Sequence, residues 1–67
     1  MKYLKKLQDR VKKGQNVFIA PTAYVLGNVE LADEVSIWYG AVIRGDFDEI
    51  KIGARTNVQE GVYMHVD

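Results

Sequence analysis

A six-residue period in the positions of large aliphatic side chains constrains the fold of this chain more than any other feature. An aliphatic residue or methionine recurs at every sixth position, apart from one interval of nine, at Ile19, Val25, Leu31, Ile37, Ile43, Ile52, Val58 and Met64. Four positions after most of these stands a small or β-branched residue, at Ala23, Val29, Val35, Ala41, Thr56 and Val62, with Phe47 as the exception. Two matched columns at one fixed period indicate a repeat architecture.

A repeat of this length describes a short strand followed by a corner, and three such units close a triangular coil of about 18 residues. Residues that tolerate turn conformations occupy the expected corners, at Gly27, Asn28, Asp33, Gly40, Gly45, Asp46, Gly53, Asn57 and Gly61. An antiparallel meander would instead favour Asn-Gly or Asp-Gly hairpin turns, and neither dipeptide occurs. We therefore predict an all-β parallel β-helix over residues 15–67, with fewer than three coils and an incomplete C-terminal end.

The period also predicts which outward side chains lie above one another in successive coils. Equivalent positions in neighbouring coils are separated by the spacing between strands, about 4.8 Å. The two predicted outward columns are Leu26, Arg44 and His65, and Ala20, Trp38 and Gln59.

Residues 1–14 have a different pattern, which predicts one short amphipathic α-helix. Leu4, Leu7 and Val11 are spaced by three and then four residues, so they share one helix face. Two lysines near the end suit the negative C-terminal end of the helix dipole, and Gly14 suits the position after the last turn. We interpret this helix as a cap on the β-helix; its narrow apolar face argues against a role at a membrane surface.

Composition excludes several kinds of site and partner. Nine basic and nine acidic side chains cancel, so no net field steers the chain towards nucleic acid or an anionic membrane. The absence of cysteine excludes disulfides and thiolate zinc sites. No apolar run approaches the roughly 20 residues of a membrane span, and we expect a cytoplasmic protein. A chain of 67 residues has a small core, so we also expect a homo-oligomer.

Several short motifs follow one another after residue 35: Ser36-Ile37-Trp38, Arg44-Gly45-Asp46, Ile52-Gly53, Asn57-Val58-Gln59-Glu60 and His65. In this order and spacing they resemble the signature of gamma-class carbonic anhydrases, over residues 18–67. The resemblance implies that the coils are left-handed and that three subunits pack as parallel prisms. It also implies metal sites between neighbouring subunits, each with three histidines drawn from two chains.

The resemblance assigns roles to individual residues of this chain. His65 matches the first metal ligand, and the metal is zinc or iron. Gln59 matches a residue that hydrogen-bonds metal-bound water or bicarbonate, and Asn57 matches its polar partner. Arg44 and Asp46 match a pair that bridges adjacent subunits. The other two ligands of the family lie on later coils, so this chain, an N-terminal fragment by this comparison, supplies only one.

The implied activity is the lyase reaction that hydrates carbon dioxide reversibly to bicarbonate, in which a metal lowers the pKa of bound water towards about 7. With one ligand where catalytic zinc needs three, we expect the 67-residue chain to be inactive by itself. Phe47 stands where some active members carry a proton-transferring glutamate. Two alternatives remain: a non-catalytic structural or assembly module that has kept the repeats, and a hexapeptide-repeat acyltransferase.

Overall fold

The computed structural model describes the backbone of residues 2–66 and the side chains of residues 6–66. Within the described backbone, one helix precedes seven strands. In chain order the elements are α1 (Lys2–Asp9), β1 (Lys12–Lys13), β2 (Phe18–Ile19), β3 (Tyr24–Leu31), β4 (Ser36–Ile37), β5 (Val42–Ile52), β6 (Asn57–Val58) and β7 (Tyr63–Val66).

The strands form two parallel sheets, in the orders β1-β3-β5-β7 and β2-β4-β6. Each strand pairs with the equivalent strand of the next coil. Phe18 lies opposite Ser36, and Ser36 lies opposite Asn57. The offset of 18 residues is that expected when three six-residue units make one coil. The second offset, 21, is longer by the three residues that β5 contains in excess of β3. The prediction of a mainly β chain in parallel sheets preceded by a small helix is therefore confirmed.

The interior is built from the two columns that the six-residue period predicts. Ile37 and Ile43 from the first column and Val35 and Ala41 from the second are completely buried. Thr56 differs, because its side chain is exposed although it belongs to the second column. The core otherwise contains apolar side chains only, and among the described residues no charged or polar side chain is buried.

The nine-residue interval corresponds to an insertion in β5. Gly27 of β3 lies opposite Gly45 of β5, but the next matched pair is Val29 and Ile50, so β5 contains three more residues than β3 at this point. Ile50, only 9% exposed, fills the interior position that Phe47 would have had at constant spacing, and Phe47 is 85% exposed. The exception in the second column is therefore an extra segment and not a large residue in the core.

Gly45 separates Arg44 from Asp46 at the start of this insertion. A Cβ atom on Gly45 would lie 2.5 Å from the carbonyl oxygen of Asn28 in the preceding coil. Coils stacked this closely leave no room for a side chain, so the corner between the two charged residues requires glycine.

The N-terminal helix is shorter than predicted, because it ends at Asp9 and not near Gly14. Lys12 and Lys13 form β1 and pair with Glu30 and Leu31 of β3, and the Gly14 N–H donates to the Leu31 carbonyl at 2.8 Å. Hydrogen bonding to the neighbouring coil thus replaces the last predicted helical turn.

Val11 packs against the core, as expected for a residue on the apolar side of the segment. The side chain of Leu4 lies outside the described residues, as do Met1 and Asp67 at the ends of the predicted ranges. The division of the chain into units 1–14 and 15–67 stays a prediction. Within residues 2–66, no helix has the length and apolar character needed to cross a membrane.

Candidate functional site

The first predicted outward column is present on the four-stranded sheet. Leu26 of β3 lies opposite Arg44 of β5, and Arg44 lies opposite His65 of β7. Parallel pairing therefore brings together two residues that are 21 positions apart in the sequence. Their side chains remain accessible, with 42% of the Arg44 side chain and 29% of the His65 side chain exposed.

The Asp46 carboxylate joins these two side chains. Its Oδ2 atom accepts a hydrogen bond from Arg44 Nη2 at 3.2 Å and lies 2.8 Å from His65 Nε2. Asp46 reaches both partners because it follows Gly45 at the corner where β5 begins its insertion. Within this one chain Arg44 and Asp46 contact each other, and Asp46 also contacts His65. The role between subunits that the family resemblance implies for Arg44 and Asp46 stays a prediction.

The contacts around Asp46 favour its ionised form. The hydrogen bond with the His65 side chain is the main cause that lowers the pKa of the Asp46 carboxyl group below its ordinary value, and the positive charge of Arg44 acts in the same direction. Partial removal from water opposes this lowering. At neutral pH the carboxylate is therefore charged and able to orient the imidazole.

A second polar group lies on the three-stranded sheet. Trp38 Nε1 donates to Ser36 Oγ at 3.0 Å, and Ser36 Oγ donates to Asn57 Oδ1 at 2.5 Å. The Trp38 ring also packs against Phe18, with 5.1 Å between ring centroids. Sequence reasoning included Ser36 in a motif but gave it no role; the signal was its position one coil before Asn57.

The second predicted column is only partly outward. The Ala20 N–H donates to the Ile37 carbonyl and the Trp38 N–H to the Val58 carbonyl, so these positions are equivalent in successive coils. Trp38 is half-buried and Gln59 is exposed, but Ala20 is 1% exposed. The prediction was wrong for Ala20, because this residue begins a corner and its small methyl group joins the core.

The predicted site residues thus fall into two groups that this chain does not bring together. Arg44, Asp46 and His65 belong to the four-stranded sheet. Asn57 lies in the three-stranded sheet, and Gln59 follows at the end of the same strand. A site using both groups requires surfaces from different faces of the coil.

A bound metal ion needs several donor side chains close together. Among residues 2–66, no three histidine, cysteine, aspartate or glutamate side chains are grouped as a metal site requires. His65 is the one histidine of the sequence and Asp46 is its carboxylate neighbour. Since a catalytic zinc normally has three protein ligands, the residues of one chain do not by themselves fit this metal.

Comparison with known proteins finds one repeat family and several individual relatives that resemble this chain. Residues 14–45 match the model of the bacterial transferase hexapeptide (six repeats) family. This match agrees with the period of the interior columns and with the parallel stacking of the strands.

The resemblance to gamma-class carbonic anhydrases predicted from the sequence is confirmed by individual relatives. A protein of Arabidopsis thaliana, gamma carbonic anhydrase 2, mitochondrial, is 46% identical over 52 residues, which are 78% of this chain and 19% of the relative. A probable carbonic anhydrase of Methanocaldococcus jannaschii is 47% identical over 51 residues, 76% of this chain and 32% of the relative. Protein YrdA of Escherichia coli (strain K12) is 53% identical over 53 residues, 79% of this chain and 29% of the relative.

The chain thus spans between about a fifth and a third of the length of these relatives. No solved structure matches it.

Proposed function

We propose that this chain forms part of a gamma carbonic anhydrase-like protein that hydrates carbon dioxide reversibly, and that its contribution to the metal site is His65. One observation carries the proposal: the His65 imidazole lies 2.8 Å from the Asp46 carboxylate, which Arg44 in turn holds. Histidines that bind metals are commonly oriented by a carboxylate in this way. The relatives named as carbonic anhydrases support the choice of reaction.

The complete site would lie between subunits. His65 lies in the four-stranded sheet, whereas Asn57 and Gln59 belong to the strand β6 of the three-stranded sheet and its end. This separation supports a site that combines residues from more than one copy of the chain. We propose a homotrimer of left-handed β-helices, in which the metal, zinc or iron, takes its other ligands from outside this chain. A cytoplasmic location remains a prediction.

In this arrangement Asn57 and Gln59 bind bicarbonate through neutral hydrogen-bonding groups, and Asp46 orients His65. Proton transfer has no obvious donor at residue 47, since Phe47 has no titratable group. Asp48 and Glu49 are exposed on the same insertion and are the nearest carboxylates in the chain after Asp46. We therefore expect slow turnover.

The test uses a longer polypeptide in which this chain is followed by the remainder of the Escherichia coli relative, since the two share 53% identity over 53 residues. We expect about one divalent metal ion per subunit and measurable hydration of carbon dioxide. His65→Ala should remove metal and activity together, while circular dichroism and sedimentation stay unchanged because the His65 side chain is outside the core. Lys12→Ala, an exposed substitution in β1 of the same sheet, is the control.

Full metal content in the His65→Ala protein would contradict the assignment of this ligand. A metal-free oligomer with no activity would instead favour the structural or assembly module. Acyl transfer without metal would favour the acyltransferase. The matching repeat family is named for bacterial transferases, which is why this alternative is tested.

A further inference from the structure

The hydrogen bonds run in one direction, from Trp38 through Ser36 to Asn57. An indole N–H is a donor only, so Ser36 Oγ must accept the bond from Trp38 Nε1 at 3.0 Å. The hydroxyl proton of Ser36 is then available for the bond to Asn57. The 2.5 Å separation between Ser36 Oγ and the Asn57 side chain suits an O–H···O bond and is shorter than N–H···O bonds normally are.

This direction determines the orientation of the Asn57 amide. The atom facing Ser36 is Oδ1, so the NH₂ group of Asn57 points away from Ser36. Asn57 is exposed, and its two remaining donors are therefore accessible at the surface of the three-stranded sheet. An asparagine without such a partner could present either its oxygen or its nitrogen to a ligand.

Trp38 is itself held in place, which makes the orientation stable. Its ring packs against Phe18 and, more distantly, against Tyr39, with centroid separations of 5.1 and 6.5 Å. The indole is half-buried, so its N–H has limited access to water as an alternative acceptor. The ring therefore holds the Ser36 hydroxyl in one role, with its proton directed to Asn57.

We propose that Ser36, held by Trp38, is a positioning residue that directs the Asn57 NH₂ group outward to donate hydrogen bonds to a small planar oxyanion of the bicarbonate type. The identity of the anion rests on the function proposed above. The orientation itself depends only on the three side chains. Neither Ser36 nor Trp38 contacts the anion; Asn57 does.

The test uses the ¹⁵N-labelled 67-residue chain, titrated with sodium bicarbonate against sodium chloride at equal ionic strength. NMR follows the Asn57 side-chain amide and the indole N–H of Trp38, which is unambiguous because the sequence has one tryptophan. In the wild-type chain, bicarbonate should shift the Asn57 amide signals, and the Trp38 N–H should exchange slowly with solvent.

Four variants separate the positioning role of Ser36 from a general structural role. Ser36→Ala should speed exchange of the Trp38 N–H and weaken bicarbonate binding roughly five- to tenfold, as for loss of one neutral hydrogen bond. Ser36→Thr keeps the hydroxyl, so both the slow exchange of the Trp38 N–H and the bicarbonate affinity should be close to those of the wild type. Asn57→Asp keeps an acceptor for Ser36 but removes the NH₂ donors, so bicarbonate binding should disappear while the Trp38 signal stays. Thr56→Ala removes an exposed hydroxyl beside Asn57 and should change neither.

Equal bicarbonate affinity in the Ser36→Ala and wild-type chains would overturn the positioning role. Undiminished binding by Asn57→Asp, or no response of the wild-type Asn57 amide, would overturn its role as the donor. These measurements do not depend on catalysis. An inactive longer protein would therefore contradict the proposed reaction without contradicting the proposed orientation of the Asn57 amide.

Discussion

At the scale of single residues, Asp46 is the side chain on which the arrangement of the candidate ligand depends. Its pKa is lowered chiefly by the hydrogen bond with His65, so its ionised form is stabilised in the folded state. A lowered pKa contributes stability at pH values above the ordinary value of 3.8, and this contribution is lost as the pH falls through the lowered folded value. Asp46→Asn should therefore be less stable than the wild type at pH 7, and the difference should shrink below pH 3.8.

Urea denaturation at a series of pH values measures this difference. Asp48→Asn serves as the matched control, because it removes an exposed carboxylate two residues away on the same insertion. Equal loss of stability in the two variants at neutral pH would show that the contacts of Asp46 contribute nothing specific.

At the scale of elements, β5 contains an insertion that leaves the interior register intact. Deleting residues 47–49 would leave as many residues between the matched positions of β5 as between those of β3. This follows from the register, in which Gly27 lies opposite Gly45 and Val29 lies opposite Ile50. We expect this deletion to fold with a melting temperature near that of the parent, since the exposed Phe47 contributes little to the core. Deleting residues 47 and 48 alone should unfold the chain, because a shift by one position turns Ile50 outward.

Thermal unfolding followed by circular dichroism compares the two deletions. The shorter deletion removes fewer residues, so chain length alone predicts the opposite order of stability. A less stable three-residue deletion would mean that the insertion is part of the folded core.

At the scale of the whole molecule, the outer face of the four-stranded sheet is suited to association. Tyr24 and Tyr63 lie in register with Val42 between them, and both tyrosines are exposed. The edge strands β1 and β7 also leave backbone groups unpaired within this sheet. We expect the folded chain to sediment as an oligomer, most simply a trimer, at micromolar concentration.

Tyr63→Asp should shift this equilibrium towards smaller species, because it places a charge on the apolar part of the face. Lys51→Asp changes an exposed position and should leave the sedimentation coefficient unchanged. A stable, folded monomer of the wild-type chain at micromolar concentration would contradict the prediction.

The sequence by itself determined most of the interior of this protein and the stacking of its coils. A six-residue period leaves one choice for which side chains face inward, so Ile37 and Ile43 were correctly placed in the core. The same columns, counted across the nine-residue interval, placed Arg44 beside His65, because parallel strands keep equivalent positions of successive coils together. Both results depend only on local spacing repeated along the chain.

Only the tertiary structure decided features that depend on contacts between coils. The helix ends at Asp9 because β1 bonds to a strand 18 residues further along, which no local helix signal reveals. The carboxylate of Asp46 lies between Arg44 and His65, and Ser36 donates to Asn57, through side-chain rotamers that the repeat does not specify. The spacing of the repeat determines which residues become neighbours. The hydrogen bonds between these neighbours depend on the local backbone and side-chain geometry, which the repeat does not specify.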